Sequence, residues 1–372
     1  MKSRRNLLES HTGIVRLDLA PWASRSLFHR TGYSPRRRLQ PVNGIAIALA
    51  LFATGWTPMT SAAERGPLVL ETKIPLGDVR GRIDHLAVDV AHRRLFVAEL
   101  GNNTVGVIDV EARRVVRRLE GFDEPQGVAY LAQTDTLYVA SGGNGDLHAF
   151  RGAQLEPVGK LGLDDDADNI RIDRDQGRIY VGAGSGTLAI IDAATFKKVG
   201  EIELQGHPES FQLESEGSRI YVNVPDAREV AVLDRKTGKQ SASWPIANLR
   251  SNYPMALDSQ RKHVLVAFRQ PATLVSFDAG SGAMQERVDI CGDADDVFID
   301  ARRSYVYVAC GQGVVDVLTS RGDRTTRMAS VKTSQGARTG LFSPELDRLF
   351  LAVRATDEEA AAVWVFRPVD NF

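Results

Sequence analysis

The chain has 372 residues, 43% apolar and 25% charged, which is enough to bury one large core or two smaller ones. The first 63 residues hold nine Lys/Arg and two Asp/Glu, so the remainder carries 37 basic against 45 acidic residues, a net charge of −8. That balance argues against a nucleic-acid partner, since such binders present a basic face.

The N-terminal segment differs from the rest. Arg36-Arg37-Arg38 precedes an apolar run from Gly44 to Gly55, and Ser61-Ala62-Ala63 precedes Glu64. Basic residues, a short apolar run and small residues at −3 and −1 are the marks of a secretory signal peptide. A retained N-terminal anchor is the rival reading, but the run is short for a permanent span. We expect residues 1–63 to be a leader cleaved after Ala63, and 64–372 to be one domain, periplasmic or secreted, with no stable membrane span.

Beyond the leader one phrase recurs: a turn, then an aliphatic residue, an aromatic residue and valine. It reads RLFV, TLYV, RIYV, RIYV, HVLV, YVYV and RLFL, with the first aliphatic at Leu95, Leu137, Ile179, Ile220, Val264, Val306 and Leu349. The spacings are 42, 42, 41, 44, 42 and 43. A short apolar strand precedes each phrase (Leu86–Asp89, then 128–131, 170–173 and 297–300). A third strand follows (TVGVID, TLAIID, EVAVLD, TLVSFD), and then a fourth (RRVVRRLE, KKVGEIEL, MQERVDI). Four strands with period-2 alternation in about 42 residues is the signature of a propeller blade, and no helical period competes. The expected fold is all-β, a seven-bladed β-propeller of four-stranded antiparallel blades. The last unit lacks a fourth strand, and 68–75 (LVLETKIP) is a spare one. We expect it to close the ring and so remove an open sheet edge.

LFVAELGNNTVGVIDVEARRVV, IYVGAGSGTLAIIDAATFKKVG and IYVNVPDAREVAVLDRKTGKQ resemble the YVTN-type β-propeller repeat, and the resemblance spans nearly all of 67–368. It implies a secreted or surface propeller of the YncE-like kind. It implies no catalytic residues, because the family has no shared catalytic motif and fold alone does not give activity.

Stacking the repeats locates a candidate site. The residue eleven before each anchor is Asp84, Gln126, Asp168, Glu209, Tyr253, Asp295 or Arg338. The next is His85, Gly127, Asn169, Ser210, Pro254, Asp296 or Thr339. Both positions precede the innermost strand and should ring one mouth of the central channel. The loop after the second strand opens on the same face and offers Glu99, Asn102, Asp226, Arg269, Gln270, Gln312 and Arg354. Carboxylates gathered there need a cation, an arginine or a proton to relieve their repulsion. Arg338, Arg269, Arg354 and Arg82 are candidates for that role. So is a divalent metal on Asp168, Glu209 and Asp295. No cofactor is required by any motif. The competing reading is turn capping by aspartate, which also accounts for Asp89, Asp173, Asp258, Asp300, Asp109, Asp192, Asp234 and Asp278. Cys291 and Cys310 belong to one repeat, near the same mouth, as a disulfide, two buried thiols or a functional pair.

No Ser-His-Asp order, Walker loop or dinucleotide fingerprint is present. The expected function is therefore binding of a small molecule, peptide or protein partner at the mouth, by a monomer. The alternative is a metal-assisted hydrolase, lactonase or lyase built on the same carboxylates, with His85 as base.

Overall fold

Each aliphatic-aromatic phrase becomes the second strand of a four-stranded sheet, because one of its faces meets the blade before and the other the blade after. In a computed structural model, which describes residues 66–321, 324–370 and 372, seven such antiparallel sheets follow one another around a ring. The seven anchor residues are all at most 2% exposed. Apolar side chains gather into seven clusters, each shared by two neighbouring blades: Phe96 and Val107 meet Val128 and Val139, for example, and Tyr138 and Leu147 meet Ile179 and Ile191. Burying both faces of each sheet in this way is what lets short strands form a stable domain.

The first strands, which line the channel, are Leu86–Asp89, Pro125–Leu131, Ile170–Asp173, Phe211–Leu213, Arg250–Asp258, Ala294–Asp300 and Gly340–Ser343. Three start earlier than the sequence suggests. In the second, fifth and sixth blades a bulge lets pairing resume at Pro125, Asn252 and Ala294. Gln126, Tyr253 and Asp295 therefore sit in bulged strand starts rather than in free loops.

The ring is closed as expected. Leu68–Pro75 pairs antiparallel with Ala362–Pro368, completing the seventh sheet. Its register slips between Leu70 and Thr72, where the fourth strands of the other blades also slip against their third strands. That shared bulge marks 68–75 as a true fourth strand delivered from the other end of the chain. The expected leader, 1–63 with its cleavage after Ala63, lies outside the described residues.

The turn aspartates act as caps. Asp89, Asp173, Asp258 and Asp300 each accept the backbone N–H three residues on, and Asp109, Asp192, Asp234 and Asp278 do the same after the third strands. The repeat's aspartates away from the mouth are thus turn chemistry.

Candidate functional site

Backbone pairing holds the mouth residues in place. The Asp84 N–H donates to the Ala98 carbonyl and the Ala98 N–H to the His85 carbonyl; Asp168, Asn169 and Gly182 repeat this, as do Glu209, Ser210 and Asn223. The ring positions therefore continue the inner ladder past a gap, and their side chains are aimed by the sheet rather than by a free loop.

The cations and carboxylates fall into two arcs. One runs through blades five, six, seven and one. Arg269 bonds Asp295, lies 3.2 Å from Asp293 and donates from Nε to the Ala294 carbonyl at 2.9 Å. Arg338 reaches both Asp293 oxygens at 2.9 Å and Asp295 Oδ2 at 2.8 Å. Arg269 also lies over the Tyr253 ring, 4.3 Å from its centre, a cation–π contact. Arg82 pairs with Asp84 at 2.7 Å. Arg354 stays exposed beside Arg82, Asp293 and Arg338, and among the described residues it makes no ion pair with a ring carboxylate. Of the four arginines expected to relieve the ring, three do so.

The other arc, through blades two to four, has fewer cations. Gln126 donates to Asp166 Oδ1 at 3.1 Å. Asp168 is 8% exposed, its Oδ1 takes no hydrogen bond among the described residues, and the His85 ring nitrogen is 3.7 Å away. Burial, followed by the Asp168 charge, pushes the Glu209 carboxyl up to about 7. Burial likewise carries Asp296 up to about 7, although His85 and the Gly340 N–H favour its anion. His85 is pushed down by burial, but Asp84, Asp296 and Asp168 outweigh that and leave it above the usual histidine range. His207 donates from Nδ1 to the Gly184 carbonyl at 2.7 Å, with Asp166 at 3.7 Å. Glu209 near neutrality with His207 in the same blade, together with His85 of blade one and Asp296 of blade six, gives the mouth groups suited to proton transfer.

Asp168, Glu209 and Asp295 do not draw their oxygens together as one ligand set. Among the described residues the group of carboxylates and histidine that does converge is Asp89, His92 and Asp135, on the opposite rim, where Arg94 already pairs with both aspartates. Several loop positions serve the fold. Glu99 is fully buried, held by Arg118 and Thr104. Asn102 pairs with the backbone of Arg80, and Gln312 accepts the Gly292 N–H. Asp226 and Gln270 are exposed.

Cys291 and Cys310 are joined as a disulfide with Cα atoms 5.9 Å apart. Cys310 stands opposite Ala294 in the ladder, so the bridge pins the turn that carries Asp293 and Asp295. Unreduced protein is expected to show no free thiol in a denaturing assay. Replacing both cysteines with alanine should cost about 3 kcal/mol in denaturant unfolding; two reactive thiols in the native protein would contradict the bridge.

Arg171 and His207 are not among the residues expected at the site, nor are Asp166 and Asp293, although these two open the recurring Asp-Ala-Asp stretches at 166–168 and 293–295; the repeat register contains the signal. Thirteen before the anchors stand Arg82, Glu124, Asp166, His207, Ser251, Asp293 and Gly336, a second polar tier outside the first. Eight before them stand Ala87, Ala129, Arg171, Gln212, Ala256, Phe298 and Leu341, among which Arg171 alone is charged.

Neither a family model nor a curated protein sequence matches this chain. Solved structures do. A chain of the Kuenenia stuttgartiensis hydrazine synthase superposes with a TM-score of 0.70 at 16% identity, covering 79% of this chain and 97% of that one. A chain of a mitotic checkpoint complex crystal structure gives 0.69 at 14% identity, covering 89% and 100%. At these identities the likeness is one of fold.

Proposed function

We propose that this chain is a YVTN-type propeller, exported to the periplasm or beyond, that binds a small ligand, peptide or protein partner at its polar channel mouth. The observation that carries this reading is the division of the mouth. Arg269 and Arg338 clasp Asp293 and Asp295 on one side, while Asp168 and Glu209 stand short of cations on the other. Such a surface meets a dipolar or oppositely charged partner with matched charges. The Cys291–Cys310 bridge suits an oxidising compartment. Among the described residues no helix is long and apolar enough to cross a membrane.

A thermal-shift panel of tri-alanine, tri-lysine and tri-glutamate tests the reading. At least one peptide is expected to raise Tm, since a ligand at about 100 times its Kd adds about 2.7 kcal/mol. The shift should vanish in the variant R269Q/R338Q/D293N/D295N, which removes both sides of these ion pairs together rather than stranding one partner. An identical shift in that variant, or none in the wild type, would count against mouth binding.

A second reading rests on Glu209, whose carboxyl near 7 beside His207 and Asp168 has the poise of a general acid or base. It is the hydrolase, lactonase or lyase reading. Turnover of an ester or lactone panel, lost in Glu209→Gln, would favour it over binding alone.

A further inference from the structure

Against the ring, at the start of the first strands, lies a cavity of about 130 Å³. Its apolar wall includes Val128, Ile170 and Leu341, and its polar wall includes His85, Arg171 and Asp296. The first strands of five blades contribute to it, so its walls are as rigid as the sheets themselves.

Two of its ionisable residues, Arg171 and Asp296, are incompletely matched. Arg171 Nη1 donates to the Ile170 carbonyl at 2.9 Å and to Asn169 Oδ1 at 3.4 Å, and Nη2 to Ser210 Oγ at 3.5 Å. These are neutral acceptors, two of them at the long limit, and no carboxylate lies within ion-pair distance among the described residues. Arginine cannot shed its proton to escape. Asp296 takes the Gly340 N–H on Oδ2 at 2.8 Å, and its other oxygen has no partner among the described residues. A guanidinium and a carboxylate thus face one small chamber without touching each other.

We propose that this chamber binds a free α-amino acid with a short apolar side chain, its carboxylate on Arg171 and its ammonium on Asp296. Arginine takes a carboxylate bidentately, which suits a fixed, planar group on a strand. A simple anion would satisfy Arg171 but meet Asp296 and Asp168; a simple cation would do the reverse. A zwitterion matches both and adds no net charge to a buried space. The volume holds a few waters' worth of matter at about 30 Å³ each, and is well below the roughly 300 Å³ at which drug-sized pockets begin. The aliphatic wall accepts a methyl or isopropyl group.

The inference rests on the mouth as the way in, and calorimetry on the purified protein at pH 7.5 tests the two separately. L-alanine is the probe, with propionate and ethylammonium as its two halves. Alanine is expected to bind with Kd of about 1 mM or tighter, and each half at least tenfold more weakly. Arg171→Met and Asp296→Asn should each weaken alanine binding by a hundredfold or more. Arg171→Met gives up three hydrogen bonds and a cation–π contact with Phe211, so the thermal transition of each ligand-free variant is recorded beside its binding, and a variant that keeps one cooperative transition but no longer binds alanine has lost the ligand's partner and not the fold. Propionate or ethylammonium binding as tightly as alanine would overturn the proposal, as would no binding to the wild type or unchanged binding to both variants. Mouth binding of a tripeptide with no alanine binding would refute the chamber alone; failure of every probe would refute both.

Discussion

Deleting residues 67–76 is expected to abolish soluble folding. Leu68, Ile74 and Leu76 are each at most 4% exposed. At about 1.5–3 kcal/mol per buried aliphatic side chain, their loss removes about 5–9 kcal/mol, against a whole-domain stability of about 5–15 kcal/mol. Ile74 and Leu76 pack with Phe350, Val363 and Val365, and Leu68 with Trp364 and Phe366, so the deletion would also uncover the core between the last blade and its neighbours. The damage would extend beyond packing. Ala362–Pro368 would become an open edge whose Val363-Trp364-Val365-Phe366 run is apolar and uncharged, a template for pairing with other chains. Glu71 would no longer hold Arg348 and Arg367. The measurement is soluble yield, with Ile74→Ala as the milder companion, expected to cost 2–5 kcal/mol, roughly, in denaturant unfolding. A soluble deletion variant with unchanged Tm would show that the strand merely decorates the seventh blade.

The blade count and the closing strand were legible because one residue type answers one physical demand. The anchors from Leu95 to Leu349 must be aliphatic to fill the space between sheets, and their period survives drift in everything around them. The ring tier was legible by the same stacking. Which cation meets which carboxylate was not, because Arg269 and Arg338 belong to different repeats and converge on Asp293 and Asp295 of a third. Glu99 shows the limit most clearly. It sits in the same loop class as Arg269, yet it folds under the sheet, because Gly106 across the ladder has no side chain: a Cβ there would come within 2.6 Å of Glu99 Oε1. Arg118 then covers it from the fourth strand. The glycine and the arginine are visible in the sequence, but their meaning depends on a pairing register that appears only when the strands are in place.

Between pH 4.5 and 8 the mouth is expected to make the wild-type protein less stable as pH rises. The Glu209 carboxyl goes from a usual 4.5 to about 7 on folding, and Asp296 from 3.8 to about 7. In that window the folded chain holds protons that the unfolded chain has released, so the stability they contribute is complete at low pH and is lost as pH passes through 7. At about 1.4 kcal/mol per tenfold change in proton affinity, each group accounts for about 3–4 kcal/mol. His85 and His207, both raised on folding, act in the same direction: each contributes below its usual 6.5 and ceases to contribute as pH rises through its folded value. The carboxylates whose values fall on folding, Asp89 and Asp347 among them, lose their contribution only in stronger acid and leave this window clear. Glu209→Gln and Asp296→Asn keep the neutral shape without the titration. Each should match the wild type near pH 4.5 and exceed its Tm by about 5–10 °C at pH 8. Calorimetric scans at pH 5, 6, 7 and 8 decide the matter. A wild-type profile that is flat across this range, or variants that decline in parallel with it, would mean that the carboxyls at the mouth are ionised throughout and relieved by some cation that the ring's own arginines do not supply.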